Sequence, residues 1–247
     1  MKKLKVLDLF SGSGMFSHGL EETGLFTTAA FCENDDNCRK ILLKNFKGTK
    51  IFGDIRELTA LDIPIKLDVV TASWPCQGHS VAGKKRGLND ERSGLWKEVK
   101  RVLRETQPTW FIGENSANLR TNGLTEVLQD LWEVGFHNIR WDVLPAEAYG
   151  AIHKRERIFI LANSNGYGLD EVSYAPTKEE QEWRAKTWVD FCNRECPEPE
   201  FHRVVNEDTS IVDKPRRIRV KMCGNSLYWP IVNKIGMEIL KHEQIHN

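Results

Sequence analysis

Short apolar runs alternate with amphipathic stretches along the first two thirds of the chain. The apolar runs end in small or polar residues, which is typical of strands buried on both faces of a sheet. Apolar residues at helical spacing predict helices at 36–45, 95–104 and 124–134. This alternation predicts an α/β fold, with a Rossmann-like, mainly parallel sheet and helices on both faces. The predicted strands are residues 4–10, 27–31, 50–52, 67–72, 110–113, 139–144 and 157–162.

The pattern changes after Ala162, where residues 163–168 are rich in Asn, Ser and Gly. A polar stretch with acidic clusters and little periodicity follows, and residues 227–241 then regain apolar positions at helical spacing. We therefore divide the chain into a main domain at 1–162, a small irregular region at 163–222 and a C-terminal segment at 223–247. The last segment is expected to return to the main domain as a helix.

Composition narrows the class of protein. The 247 residues include 35 basic and 35 acidic side chains, so local patches, not net charge, would hold a nucleic-acid or membrane partner. Hydrophobic residues make up 40% of the chain, and no apolar run approaches the roughly 20 residues that cross a bilayer. We expect a cytoplasmic protein with six reduced cysteines. Cys192 and Cys196 lack a second ligand pair at zinc-finger spacing, so no metal is expected.

A glycine-containing turn, DLFSGSG at residues 8–14, follows the first predicted strand. Its two glycines allow backbone amides to approach a ligand, and Glu33 closes the second strand, where a carboxylate binds ribose hydroxyls. Ser17 occupies the third position of the pattern Gly-x-Gly-x-x-Gly, so the loop suits a nucleoside better than a pyrophosphate. Asp54, after the third strand, offers a polar group to an adenine edge. A plain turn is the alternative for both segments.

A cysteine follows the fourth predicted strand, in the sequence WPCQG at residues 74–78. At this edge of the sheet Cys76 is a candidate nucleophile, although buried structural cysteines are commoner. Glu114 follows the fifth strand at the same edge, where burial would keep its carboxyl protonated for a hydrogen bond to a ring nitrogen. Arg155 and Arg157 flank the last strand and are suited to an electron-rich heterocycle and a phosphate, with a solvated strand end as the alternative.

Taken in order, these motifs resemble the cytosine-5 DNA methyltransferase family in its compact phage or bacterial form. Several short motifs in one order are more specific than any one of them alone, and they extend over nearly the whole chain. The matching segments are DLFSGSG (8–14), Glu33, GDI (53–55), PCQG (75–78), EN (114–115), RERIFI (155–160) and GNS (224–226).

The resemblance implies methyl transfer from S-adenosylmethionine to carbon 5 of cytosine in double-stranded DNA. A thiolate matching Cys76 would add to carbon 6 while Glu114 protonates or hydrogen-bonds N3, which activates carbon 5. Arg157 would bind the base near O2 with support from Arg155, and the target base would be flipped out of the duplex. The cofactor contacts implied are Phe10, Gly12, Gly14, Glu33, Asp54, Ile55, Leu95 and Asn225.

Two basic segments are the expected DNA-binding surfaces. One follows Cys76 and resembles the family's closing loop, and the other precedes Gly224. The acidic stretch 170–200 is expected either to face away from DNA or to present only selected side chains to it. Double-stranded DNA is the expected partner, a cognate restriction endonuclease is a further candidate, and the chain is expected to act as a monomer. The residues expected to contact DNA are Gln77, Ser80, Lys84, Lys85, Arg86, Arg216, Arg217 and Arg219.

Four residues depart from the family pattern. Trp74, His79, Ser116 and His153 stand where the family usually has proline, phenylalanine, valine and glutamine. Trp74 and Ser116 are positioned to reshape the base or methyl pocket, and His153 to alter how the arginines are ordered. Three other functions stay open: the same chemistry on tRNA, a catalytically silent DNA-binding homologue, and a nucleotide-dependent oxidoreductase, which the incomplete glycine pattern disfavours.

Overall fold

A seven-stranded mixed sheet forms the centre of the molecule. The computed structural model describes residues 2–75, 94–151, 153–165 and 227–246. Within these residues the strands lie in the order β3-β2-β1-β4-β5-β7-β6. The strands are β1 Leu4–Leu9, β2 Phe26–Cys32, β3 Lys50–Phe52, β4 Val69–Ala72, β5 Trp110–Ser116, β6 Asn138–Pro145 and β7 Glu156–Asn163.

All seven predicted strands are present, which confirms the predicted α/β class with a mainly parallel sheet. Strands β1 to β5 pair in parallel, whereas β7 runs antiparallel to both β5 and β6. The pairing with β7 carries β5 past the end of β4, because Gly113 is the last β5 residue to pair with β4 and Ser116 still pairs with β7. Glu114 and Asn115 therefore lie inside β5, not after it as predicted.

Five helices accompany the sheet within the described residues. Residue 35 caps one of them, since the Asp35 carboxylate accepts the backbone N–H groups of Asn37 and Cys38 at the start of α2. Helix α3 ends at Thr106, because the next residue, Gln107, has a φ of 43° and lies in the left-handed region. The helices are α1 Met15–Glu21, α2 Asp36–Asn45, α3 Leu95–Thr106, α4 Leu124–Glu133 and α5 Trp229–His246.

Two hydrophobic cores lie on opposite faces of the sheet. Successive strand residues face opposite sides, so in β5 Trp110 enters one core and Phe111 enters the other. Helices α3 and α4 cover the Phe111 side, with Trp96 and Leu131 among their buried residues. Helices α1 and α5 cover the Trp110 side. Burial on both faces explains why the inner strands β1, β4 and β5 contain continuous apolar runs.

The C-terminal helix α5 packs against α1. Gly19 makes this approach possible, because a Cβ atom built on it would lie 2.7 Å from the Trp229 carbonyl oxygen and 2.9 Å from the Val232 Cβ. The Asn233 side chain also donates a hydrogen bond of 3.2 Å to the Gly19 carbonyl. Among the residues described, no helix is both long enough and apolar enough to span a bilayer.

Candidate active site

The polar side chains singled out from the sequence meet at one edge of the sheet. Strands β1 to β5 are parallel, so their carboxyl ends lie at the same edge, which is where open α/β sheets bind ligands. Strand β7 is antiparallel and therefore begins at this edge. As a result Arg157, at the start of β7, comes next to Glu114 near the end of β5.

The turn after β1 is held in an unusual backbone conformation. Phe10 has a φ of 53° and Gly12 a φ of 55°, so a bulky residue and a glycine both occupy the left-handed region. Ser11 secures the turn, because its N–H donates to the Cys32 carbonyl at 3.3 Å and its hydroxyl donates to the Asp8 carbonyl at 2.6 Å. Backbone strain of this kind persists where the surroundings enforce it, which is common at ligand-binding turns.

Glu33 joins this turn to the end of β2. Its Oε2 atom accepts the Gly12 N–H at 2.7 Å, and its Oε1 atom accepts the Asp35 N–H at 2.7 Å. Each carboxylate oxygen has two lone pairs, so each retains one after accepting its amide. The carboxylate is thus oriented by backbone amides and keeps acceptor capacity for ligand hydroxyls.

Asp8 lies fully buried beneath the same turn. Its carboxyl accepts hydrogen bonds from the Thr71 hydroxyl at 2.8 Å and the Ser17 hydroxyl at 2.9 Å. Burial raises the pKa of Asp8 to about 7, against the lowering effect of the two hydroxyls. The motif identified Asp8 but did not reveal this burial, which depends on Thr71 in β4.

The segment after β3 is fixed from two directions. The Asp54 carboxylate forms an ion pair with Arg56, which lowers the Asp54 pKa and engages the group that the sequence assigned to an adenine edge. Arg101 on α3 donates to the Ile55 carbonyl at 2.7 Å and to the Leu58 carbonyl at 2.9 Å. Sequence reasoning missed Arg101, because an arginine on an amphipathic helix reads as an ordinary solvated residue.

Glu114 and Arg157 form a largely buried ion pair. The distance from Arg157 Nε to Glu114 Oε1 is 3.1 Å, and the Glu114 side chain is 10% exposed. Arg157 pairs with Ser116 in the β5–β7 register, so Glu114 is its diagonal neighbour. Burial raises the pKa of Glu114, and the nearby guanidinium groups of Arg157 and Arg155 oppose this shift.

Asn115 links β5 to the chain that leaves β4. Its side-chain amide donates to the Trp74 carbonyl at 3.0 Å, and its side-chain oxygen accepts the Ser116 N–H at 2.8 Å. Both ends of the amide are therefore used, which fixes the backbone immediately before Pro75. The next residue, Cys76, lies outside the described residues.

Comparison with known proteins identifies the family. Residues 4–214 match the sequence profile of the C-5 cytosine-specific DNA methylases, which covers most of the chain. The chain belongs to this family. The type II methyltransferase M.CviJI of Paramecium bursaria Chlorella virus IL3A is 33% identical over 180 residues, covering 72% of this chain and 48% of that protein. The type II methyltransferase M.FnuDI of Fusobacterium nucleatum is 31% identical over 215 residues, covering 85% of this chain and 62% of that protein.

The chain thus spans about half to three fifths of the length of these two methylases. A solved structure of the Dnmt2 methyltransferase of S. pombe aligns with 98% of this chain and 99% of its own, with a TM-score of 0.69. Its sequence identity is 16%, so this likeness concerns the fold. The two chains therefore share a fold.

Three departures from the methylase pattern have defined surroundings. Trp74 is 4% exposed, and its indole packs on Trp96 in the core beneath the strand end. Its expected effect on the base or methyl pocket stays a prediction. The Ser116 hydroxyl accepts the Asn118 N–H at 3.3 Å at the start of a 3-10 helix. The ring of His153, an exposed residue, lies 6.0 Å from the Tyr228 ring.

Several predicted site residues fall outside the part of the chain that the structure describes. Leu95 is described and lies half-buried at the start of α3, against the core. Among the described residues, no cluster of three or more His, Cys, Asp or Glu side chains is arranged to hold a metal ion. The residues outside the description are Cys76, Gln77, His79, Ser80, Lys84, Lys85, Arg86, Cys192, Cys196, Arg216, Arg217, Arg219 and Asn225.

Proposed function

We propose that this chain transfers a methyl group from S-adenosylmethionine to carbon 5 of cytosine in double-stranded DNA. The observation that carries this proposal is the buried Glu114–Arg157 pair at the carboxyl edge of the sheet, beside the strand end that leads to Cys76. Membership of the C-5 cytosine methylase family supports the same assignment. In the proposal Cys76, Glu114, Arg155 and Arg157 are the catalytic residues.

Glu114 is suited to act on the N3 atom of a cytosine ring. Burial raises its pKa, so a larger fraction of the carboxyl is protonated at neutral pH than for an exposed glutamate. A protonated carboxyl donates a hydrogen bond or a proton to a ring nitrogen, while Arg157 remains beside it to stabilise the carboxylate after transfer. The two side chains thus supply a proton and the charge that compensates for its loss.

Cys76 is the proposed nucleophile. Its thiolate would form a carbon–sulfur bond to C6 of cytosine, and proton donation to N3 would leave an enamine with a nucleophilic C5. That carbon would take the methyl group, with S-adenosylhomocysteine as the leaving product. Loss of the C5 proton to a base then expels the thiolate and restores the ring. The Asn115 hydrogen bond to the Trp74 carbonyl supports this role by fixing the backbone that precedes the cysteine.

The edge formed by β1, β2 and β3 fits S-adenosylmethionine. No atom lies within 4 Å of a Cβ built on Gly12 or Gly53, so both turns leave open space above them. The retained lone pairs of Glu33 suit ribose hydroxyls. Ile55, another expected contact, is 4% exposed and lies in the core beside Asp54. When bound, the cofactor supplies an electrophilic methyl group. Further proposed contacts come from Phe10, Gly12, Gly14, Leu95 and Asn225.

The wider assignments follow from this activity. We assign catalysis to residues 1–162, target recognition to 163–222 and a return to the catalytic domain to 223–247. The basic segments around Lys84 and Arg216 would contact phosphates. Action on DNA would place the protein in the cytoplasm of a bacterial or phage-infected cell, as a monomer, with a cognate restriction endonuclease as a candidate partner.

A methyl-transfer assay tests the proposal. The purified chain should transfer labelled methyl from S-adenosylmethionine to cytosine-containing duplex DNA, and Cys76→Ala should abolish the transfer. Glu114→Gln, which donates a hydrogen bond but no proton, should lower the rate by roughly 10²- to 10⁴-fold. The matched control is Glu126→Gln, at an exposed position on α4, which should keep the wild-type rate.

Three results would count against the proposal. An unchanged rate in Cys76→Ala would exclude the covalent mechanism, and an unchanged rate in Glu114→Gln would remove Glu114 from it. Methylation of tRNA in preference to duplex DNA would reassign the substrate. Mapping of 5-methylcytosine in the DNA of a methylation-free host that expresses the chain would then give the target sequence.

A further inference from the structure

Two tryptophans flank the stretch 76–93 and contact each other. Trp74 follows β4 and Trp96 lies in the first turn of α3. Their ring centroids are 4.7 Å apart with an angle of 45° between the planes, and the residues are 4% and 1% exposed. The chain before Cys76 and the chain after residue 93 are therefore in contact through these two buried rings.

Each indole is also fixed from its other sides. The Trp96 Nε1 atom donates to Asp130 Oδ2 on α4 at 2.7 Å, and the Trp96 ring lies 6.1 Å from the Phe111 ring. The Trp74 ring fills the space above Gly113, where an added Cβ would lie 3.1 Å from its Cζ3 atom. Contacts with β5 and α4 thus help to fix the position of the pair.

Joining the ends of a chain segment limits the conformations available to everything between them. Reacting groups are sensitive to such limits, since a misplacement of about 1 Å costs roughly a hundredfold in rate. The family pattern has proline at position 74, which offers no ring of this size to α3. The tryptophan at this position therefore adds a connection that proline would not make.

We infer that Trp74 and Trp96 are positioning residues that hold the two ends of the Cys76-bearing segment together and thereby set the reactivity of Cys76. The inference rests on the proposed function for its catalytic consequence. In this inference Trp74 and Trp96 act through the backbone on either side of the segment.

Two measurements on the full chain test this inference. The first is the rate of covalent adduct formation with 5-fluorocytosine duplex DNA in the presence of S-adenosylmethionine, together with the cofactor Kd. Trp96→Leu should slow adduct formation at least about tenfold and leave the Kd within about twofold. Trp74→Leu should have the same two effects. If one of these variants fails to fold, the other still tests the inference. Trp96→Phe, which keeps an aromatic ring, should recover most of the rate.

The second measurement is tryptic cleavage within residues 84–92, which contain Lys84, Lys85, Arg86 and Arg92. Loss of the aromatic contact should raise the cleavage rate severalfold in Trp74→Leu and Trp96→Leu. In the double variant the cleavage rate should be no higher than in either single variant, because each single change already removes the same contact.

Trp110→Leu is the matched control. Trp110 is also fully buried, and its Nε1 atom donates to a carboxylate, that of Glu243 at 2.9 Å, but it lies in the core on the other face of the sheet. This variant should lower the Tm without changing the adduct rate of the folded protein or the cleavage rate within 84–92. Equal effects at position 110, or wild-type behaviour at positions 74 and 96, would overturn the inference. Absence of an adduct in the wild type would instead refute the proposed function, while the cleavage rates would still decide whether the two ends are joined.

Discussion

Asp8→Asn should remove a specific pH dependence from the stability of this protein. The Asp8 carboxyl is fully buried beneath the glycine turn, and its pKa rises from 3.8 to about 7 on folding. Between these two values the folded protein keeps the proton that the unfolded chain releases. The contribution of Asp8 to stability is therefore fully present below about pH 4 and is lost as the pH rises to about 7.

The size of this effect follows from the two pKa values. At about 1.4 kcal/mol per pH unit, the difference between 3.8 and about 7 corresponds to roughly 4 kcal/mol. Between about pH 5 and pH 8 the wild type should lose roughly 3 kcal/mol more of its free energy of unfolding than Asp8→Asn. An asparagine stays neutral at every pH and still presents polar atoms to the Ser17 and Thr71 hydroxyls.

Urea unfolding followed by far-ultraviolet circular dichroism at a series of pH values measures this difference. Comparison of the two proteins cancels the titration of all other groups. Thr71→Val should make the free energy of unfolding fall more with rising pH than it does in the wild type. Loss of the hydroxyl removes a hydrogen bond that lowers the Asp8 pKa, so that pKa rises further. Parallel pH profiles for the wild type and Asp8→Asn would refute the assignment of a raised pKa to Asp8.

Two glycine substitutions give further predictions. Gly19→Ala should lower the free energy of unfolding by about 1–3 kcal/mol, because the new Cβ would lie 2.7 Å from the Trp229 carbonyl oxygen. Gly53→Ala is the control in the same urea titration, because no atom lies within 4 Å of a Cβ built on Gly53. Gly14→Ala should lower both the Tm and the affinity for S-adenosylmethionine in calorimetry, since Gly14 has a φ of 86° and its Cβ would lie 2.5 Å from the Phe46 ring. An unchanged affinity in Gly14→Ala would separate this turn from the proposed cofactor site.

The positions of the inner strands could be predicted because burial on both faces requires short apolar runs in the sequence. All seven strands lie where they are predicted, including the less buried edge strands β3 and β6. The end of β5 was predicted too early, since Glu114 and Asn115 are polar and their pairing partners lie in β7, far along the chain. Strand length here depends on a neighbour that periodicity within the strand does not reveal.

Most residues of the candidate site could be predicted from the sequence, but the contacts between their side chains could not. Glu33 was expected at the turn after β1, but the two amides that orient it follow from the fold of residues 8–14 and 33–35. The sequence did not reveal that the Trp74 ring is buried in the core, where Gly113 leaves room for it. Arg101 carried no signal in the sequence, although it binds two carbonyls of the segment after β3.

The amino-acid sequence by itself determined the alternation of strands and helices, the order of the motifs and, through that order, the family. These properties are local, since each depends on residues that are close together in the chain. The tertiary structure alone decided that β7 runs antiparallel, which brings Arg157 to Glu114, and that Asp8 and Trp74 are buried. Strand direction and burial depend on contacts between distant segments, and the charge states of Asp8 and Glu114 depend on burial in turn.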